Sequence, residues 1–346
     1  MPTRRIANLL LVNVLIGTTV AWSGPSLAEE QLVNVYTYRE PGLIQPLLDR
    51  FTKETGVQTQ VIFAKEGLEQ RIQAEGENSP ADVLLATDIA RLQEAVATGI
   101  TQPISSQVLS DRIPANLRDP ANNWFGLSMR ARVVYAAKDR VDASGLTYED
   151  LADPRWKGKI CIRSGQHNYN NALFAAFIAH HGEAQAEVWL TGLKANLAQK
   201  PAGGDRDVAK DIASGTCEIG IGNTYYVGLM MADPEKKAWA DAIKVVMPVF
   251  KDGGTHVNVS GAAVAKHAPH KDNAIKLVEW LSGTEAQRIY ASSNYEYPVV
   301  KGVAVDPVVA AWGDLEADAI SLSDIAAAKK AAAAIVDKIA FDEGAN

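Results

Sequence analysis

The sequence predicts an α/β protein of two lobes, and three observations carry that prediction. Short apolar strands alternate with amphipathic helices through Gly99; two long extended runs, 124–136 and 256–264, break that rhythm; and a second α/β set lies between them. Repeated β-α-β units imply lobes built on a mostly parallel sheet flanked by helices. Two crossing strands bracketing an inserted set imply a hinge. The expected boundaries are 29–124 plus 260–300 for the first lobe and 125–259 plus 301–346 for the second.

In chain order, the first segment reads as an export leader. Arg4 and Arg5 precede the apolar run 6–16, and Ser26-Leu27-Ala28 offers the small residues that a signal peptidase reads. Cleavage is expected after Ala28, in a periplasmic protein. Asn8 and Asn13 interrupt the run, which is too short for a convincing membrane span.

Strands are expected over 32–37, 57–64 and 82–86. Between and after them, helices are expected over 42–55, where Leu43, Leu47, Leu48 and Phe51 fall at helical spacing before Gly56, over 68–76, and over 89–98 closed by Gly99. The turn-rich stretch with Pro114, Pro120, Asn122 and Asn123 leads into the first crossing run. The inserted set comprises a strand around Cys161, helices over 171–181, 183–197 and 207–214, and a strand from Cys217 toward Thr224. Asp252-Gly253-Gly254 precedes the second crossing run, and the alanine-rich 326–334 reads as a surface helix.

Composition bounds the partners. The chain has 346 residues, 47% hydrophobic, with a formal charge of −7. Removing Arg4 and Arg5 with the leader leaves −9. An acidic chain without a basic stripe excludes nucleic acid as the natural partner. Cys161 and Cys217 are the two cysteines, each in a β-like run. An exported chain with an even count favours a disulfide, with two buried free thiols as the alternative.

The feature richest in chemistry is Tyr225-Tyr226, directly after the apolar strand 218–224. An aromatic pair at a strand end commonly packs in a core or rim. A phenol is a poor anion near neutral pH, but a highly charged cation displaces its proton and makes phenolate a hard oxygen ligand. Both readings stand on the dipeptide alone.

The ordered strings Val35-Tyr36-Thr37-Tyr38-Arg39, Asn78-Ser79-Pro80-Ala81-Asp82-Val83, Trp124-Phe125-Gly126-Leu127-Ser128, Trp156-Lys157-Gly158-Lys159-Ile160, Asn168-Tyr169-Asn170 and Asn223-Thr224-Tyr225-Tyr226 resemble the periplasmic ferric-iron-binding proteins of ABC importers. The resemblance covers nearly the whole mature chain. It implies a type II periplasmic-binding fold, a monomer that closes on one Fe(III) and delivers it to an inner-membrane permease. It also implies phenolate ligands at Tyr225 and Tyr226, with a third at Tyr169. In the first lobe, where relatives often carry histidine, this chain has Tyr38-Arg39-Glu40, so Tyr38 and Glu40 are the candidates. Such proteins often complete the iron with carbonate or another small synergistic anion, for which Arg39 and Arg130 offer planar donor forks.

Other candidates carry less. Arg206, at a helix N-terminus, is placed to orient a cleft residue, with a surface ion pair to Asp205 or Asp207 as the favoured expectation, and His180-His181 are expected to cap a helix end. His256, His267 and His270 lack metal-ligand spacing, and no nucleophile elbow or phosphate loop is present in the sequence. A non-enzymatic carrier follows, with a binding protein for a small anionic or organic solute as the alternative.

Overall fold

The computed structural model describes Met1 and residues 31–345; the expected leader and its cleavage site lie outside them. The opening segment alternates as expected: β1 (Leu32–Thr37), α1 (Pro41–Thr55), β2 (Gln58–Phe63), α2 (Leu68–Glu75), β3 (Val83–Ala86) and α3 (Ile89–Ala97). Proline in the first turn of α1 removes an N–H that has no helical partner. The helix buries Ile44, Leu47, Leu48 and Phe51, then stops at Gly56, whose φ of 77° suits glycine. Asp88 starts α3 by accepting from the amides of Ala90 and Arg91. Then come β4 (Thr101–Gln102), α4 (Gln107–Arg112), and the long β5 (Phe125–Ala137).

The inserted set runs β6 (Ile160–Cys161), α5 (Asn168–His181), α6 (Glu183–Ala195), α7 (Asp205–Ala213), β7 (Ile219–Asn223), α8 (Thr224–Met231), α9 (Lys237–Asp241) and β8 (Ile243–Val246). The chain continues through β9 (Val257–Ala265), α10 (Lys271–Leu281), α11 (Thr284–Asn294), β10 (Tyr297–Pro298), α12 (Pro307–Ala310) and α13 (Leu322–Lys338). Two starts differ from expectation in ways that matter. Helix α5 begins at Asn168, because the His167 ring caps it by accepting from the Tyr169 amide, and α8 begins immediately at Thr224. All three candidate inserted-lobe tyrosines therefore sit in first turns of helices. The alanine-rich stretch is the middle of α13, which is more than a surface helix: it buries Leu322, Ile325, Ala332, Ile335 and Val336 and packs against α5.

The strands form one sheet in the order β2-β1-β3-β9-β5-β7-β6, with β4, β8 and β10 beside it. Pairing is parallel where βα units repeat, β1 with β2 and β3, and β6 with β7. It is antiparallel where β5 and β9 enter. Strand β5 pairs with β9 through Ala131, then with β7 from Arg132 and with β8 from Val134, so a single strand runs through both halves of the sheet. Among the described residues no helix is long and apolar enough to cross a membrane.

Cys161 and Cys217 form a disulfide with Cα atoms 5.9 Å apart, which excludes the free-thiol alternative. It ties β6 to the entrance of β7 inside a small core with Tyr135, Val208 and Ile212. The bridge spans 56 residues. Constraining a loop of that length in the unfolded chain contributes about 4 kcal/mol. Replacing both cysteines by alanine should remove roughly that much, read from urea midpoints; a loss under about 1 kcal/mol would mean that the unfolded chain already keeps these segments together.

Candidate functional site

A cavity of about 310 Å³ lies where the ends of β1 and β7 meet the first turns of α5 and α8. The turn from β7 into α8 is fastened from three sides. Asp205 accepts from the Asn223 amide at 2.9 Å, the Tyr135 hydroxyl donates to the Asn223 carbonyl at 2.5 Å, and Thr224 Oγ1 accepts from the Ala131 amide at 3.3 Å. The Tyr135 ring lies so close beneath Gly222 that a Cβ there would fall 2.2 Å from it. Only glycine fits, and the local backbone has little freedom to move.

On this fixed turn, Tyr225 and Tyr226 enter the cavity with ring centroids 4.2 Å apart. Tyr169, held by His167, brings its hydroxyl to 3.3 Å from that of Tyr225. Burial first, then the neighbouring phenols Tyr169 and Tyr226, push the Tyr225 pKa well above the ordinary phenol value. Burial followed by Tyr169 and Asp205 raises that of Tyr226. Without a cation these phenols stay protonated. Burial drives the neighbouring His167 down to about 4, aided by Arg163, so this imidazole is neutral and serves as a cap.

Arginines surround the phenols. The guanidinium centres of Arg130, Arg132 and Arg163 stand 5.8, 5.9 and 5.4 Å from the Tyr169 ring, and that of Arg206 stands 4.7 Å from the Tyr226 ring. The expected Arg206 surface pair does not form, because Asp205 is buried and faces the other way: it accepts from Arg132 at 2.6 Å and Arg163 at 3.3 Å. Arg206 lies over a phenol instead. Arg130 donates one Nη to Ser260 at 3.0 Å, whereas its Nη2 is buried without a hydrogen-bond partner among the described residues. A buried guanidinium N–H left open on a cavity wall fits an anion placed beside it.

Arg39 differs. Both of its terminal nitrogens engage Glu296, at 2.7 and 3.1 Å, and one also reaches Ser128. Its fork is occupied, so the expectation that it binds an anion gives way to a buried ion pair. Tyr38 is similarly committed: its hydroxyl donates to Glu69 and accepts from the Leu68 amide at 2.7 Å, with Arg91 3.6 Å above its ring. Glu40, exposed just before α1 and making no side-chain cap bond, borders the same cavity with a carboxylate that has no hydrogen-bond or ion-pair partner among the described residues.

Sequence reasoning missed Arg132, Arg163, Asp205 and Asn170, the buried frame behind the tyrosines. Asn170 Oδ1 accepts from Arg132 at 2.5 Å, while its amide donates to the carbonyls of Arg163 and Ser164. The signal available was the alternation Arg130-Ala131-Arg132 in a strand, which places both arginines on one face.

Residues 78–312 match the family described as bacterial extracellular solute-binding protein. The chain is 40% identical over 314 residues to iron uptake protein A1 of Synechocystis, covering 90% of this chain and 87% of that protein. Its structure is similar to apo ferric ion-binding protein A of Pasteurella haemolytica, with a TM-score of 0.87, 50% identity, and coverage of 90% and 98% of the two chains. It is also similar to a Trichodesmium protein solved in complex with iron and citrate ligands, with a TM-score of 0.85, 42% identity, and coverage of 90% and 99%. The architecture is that of type II periplasmic binding proteins.

Proposed function

The chain belongs to the bacterial extracellular solute-binding protein family, whose members are binding proteins and not enzymes, and from that premise we propose that it captures Fe(III) in the periplasm through tyrosinate ligands and delivers it, as a monomer, to an ABC-type permease. The observation that carries the reading is the approach of the Tyr169 and Tyr225 hydroxyls to 3.3 Å, with the Tyr226 ring against Tyr225. Three phenolates supply three negative charges to a trivalent cation, through oxygen donors of matching hardness. Their location in helix first turns adds amide dipoles that favour anionic oxygen. Glu40 is the first-lobe ligand in this reading, since its carboxylate is unengaged among the described residues while the Tyr38 hydroxyl is engaged. Arg130 Nη2 holds a small synergistic anion such as carbonate against the metal.

The two lobes, divided at the boundaries expected from the sequence, close about β5. Iron binds the closed form better and shifts the population toward it; the docked permease reverses the shift. A small anionic solute alone would use the arginines but leave the clustered phenols without a role.

Ferric citrate added to the metal-free protein should raise a visible phenolate-to-iron charge-transfer band that saturates at one equivalent. Because burial keeps Tyr225 and Tyr226 protonated beforehand, loading should release protons into a weakly buffered solution. Acidification competes with the metal, so apparent affinity should fall about tenfold per pH unit for each proton displaced. No band at any ratio would overturn the proposal.

A further inference from the structure

The paired histidines at the end of α5 do more than complement a helix dipole. His181 Nε2 lies 2.8 Å from Glu149 Oε1, and His180 bridges two carboxylates, Asp252 at 3.0 Å from Nδ1 and Asp318 at 2.8 Å from Nε2. One ligand atom from each of Glu149, His181 and Asp252 falls within 4.8 Å of the others. We propose that Glu149, His181 and Asp252 form a second metal site, independent of the tyrosine cavity, for a divalent borderline cation such as Zn²⁺.

Donor chemistry comes first. One imidazole and two carboxylates are nitrogen and oxygen ligands of the kind that Zn²⁺ takes, with a fourth position open to water because Asp252 is exposed. The charges around the cluster are unbalanced: three carboxylates, counting Asp318, face two imidazoles. A divalent cation offsets that excess.

The second argument is an orphaned atom. Glu149 Oε2 is buried without a hydrogen-bond partner among the described residues, while Oε1 accepts from the Lys251 amide at 3.1 Å as well as facing His181. A carboxylate oxygen held this way lacks the proton or cation that would satisfy it.

The third argument is preorganisation. The loop carrying Asp252 folds back on itself, Gly253 N–H donating to the Phe250 carbonyl and Phe250 N–H to that of Gly254, each at 3.1 Å. Gly253 lies against His180, where a Cβ would come within 2.7 Å of the ring, and the ring itself stacks on Phe250 at 4.1 Å. His180, fixed by Asp318 at 2.8 Å, holds the Asp252 carboxylate at 3.0 Å, the kind of outer hydrogen bond that orients a ligating carboxylate.

The test uses the full mature protein carrying Tyr225→Phe and Tyr226→Phe, so that the tyrosine cavity does not contribute, with Zn²⁺ as the probe in calorimetry. One equivalent should bind, and Tm should rise by about 2 °C or more at saturation. His181→Ala should abolish binding. Asp252→Asn, an exposed change that leaves the fold intact, should weaken it by about tenfold or more. Binding that is absent, or equally tight in Asp252→Asn and His181→Ala, overturns the site. Because Fe(III) loading of the parent protein is read separately from its visible band, failure here leaves the iron reading standing.

Discussion

Tyr225→Phe is expected to abolish most of the visible ferric band and to weaken Fe(III) binding by at least about 100-fold, with the fold intact. The size follows from what is removed. Outer residues that only orient a ligand are worth about 10–100-fold in metal affinity, and a phenolate that bonds the metal itself is worth more. Fold retention follows from what remains: phenylalanine keeps the buried ring against Tyr226 and gives up one hydroxyl, whose partner is the 3.3 Å contact to Tyr169. Tyr38→Phe is the informative contrast. Its hydroxyl serves Glu69 and the Leu68 amide, so its loss strands a buried carboxylate at a cost of about 1–3 kcal/mol while iron affinity changes by less than tenfold. Equilibrium dialysis against citrate, beside urea denaturation, separates the two effects. If Tyr225→Phe keeps its colour and affinity, the tyrosinate assignment is wrong.

What the sequence made legible divides along a physical line. Periodicity located β1, α1, β2, α2, β3 and α3 because each buries a stripe or face whose spacing is written locally. The disulfide was legible because the expectation of export and an even cysteine count bear on the same question. The tyrosines were singled out through the string Asn223-Thr224-Tyr225-Tyr226, which follows a glycine at 222 that the Tyr135 ring requires. Two readings were redirected by partners distant in sequence. Arg39 was offered as an anion fork by the family resemblance and Arg206 was placed by its neighbours Asp205 and Asp207, but Glu296, 257 residues away, takes the first, and the phenol of Tyr226 lies beneath the second. Long-range partners of a charged side chain leave no local mark. The paired histidines show the same limit: Gly182 after them explained a helix end, while Glu149, Asp252 and Asp318 come from three other segments.

Asp205 is where stability and site geometry meet, and Asp205→Asn is expected to cost about 3–5 kcal/mol at neutral pH. The carboxylate is 1% exposed. It faces Arg132, itself 2% exposed, and Arg163, and it accepts from the Asn223 amide at the start of the tyrosine turn. An amide of the same shape preserves the packing but leaves two guanidinium groups without a counter-charge beside Tyr169. The penalty is that of an uncompensated buried charge, so the double variant Arg132→Met with Asp205→Leu should recover the share due to Arg132, leaving that of Arg163 and the Asn223 amide. Acid supplies an independent check. Burial alone would raise the Asp205 pKa, but Arg132 and Arg163 outweigh it and hold the group below the ordinary carboxylate value. A depressed folded pKa means a contribution that is full above the unfolded value, about 3.9, and that fades as pH falls through the lower folded value. The gap in unfolding free energy between the natural chain and Asp205→Asn should therefore be flat from pH 7 to about 5 and shrink below about pH 4. A gap under about 1 kcal/mol at pH 7, or one that stays constant into acid, would show that Asp205 does not hold this frame together.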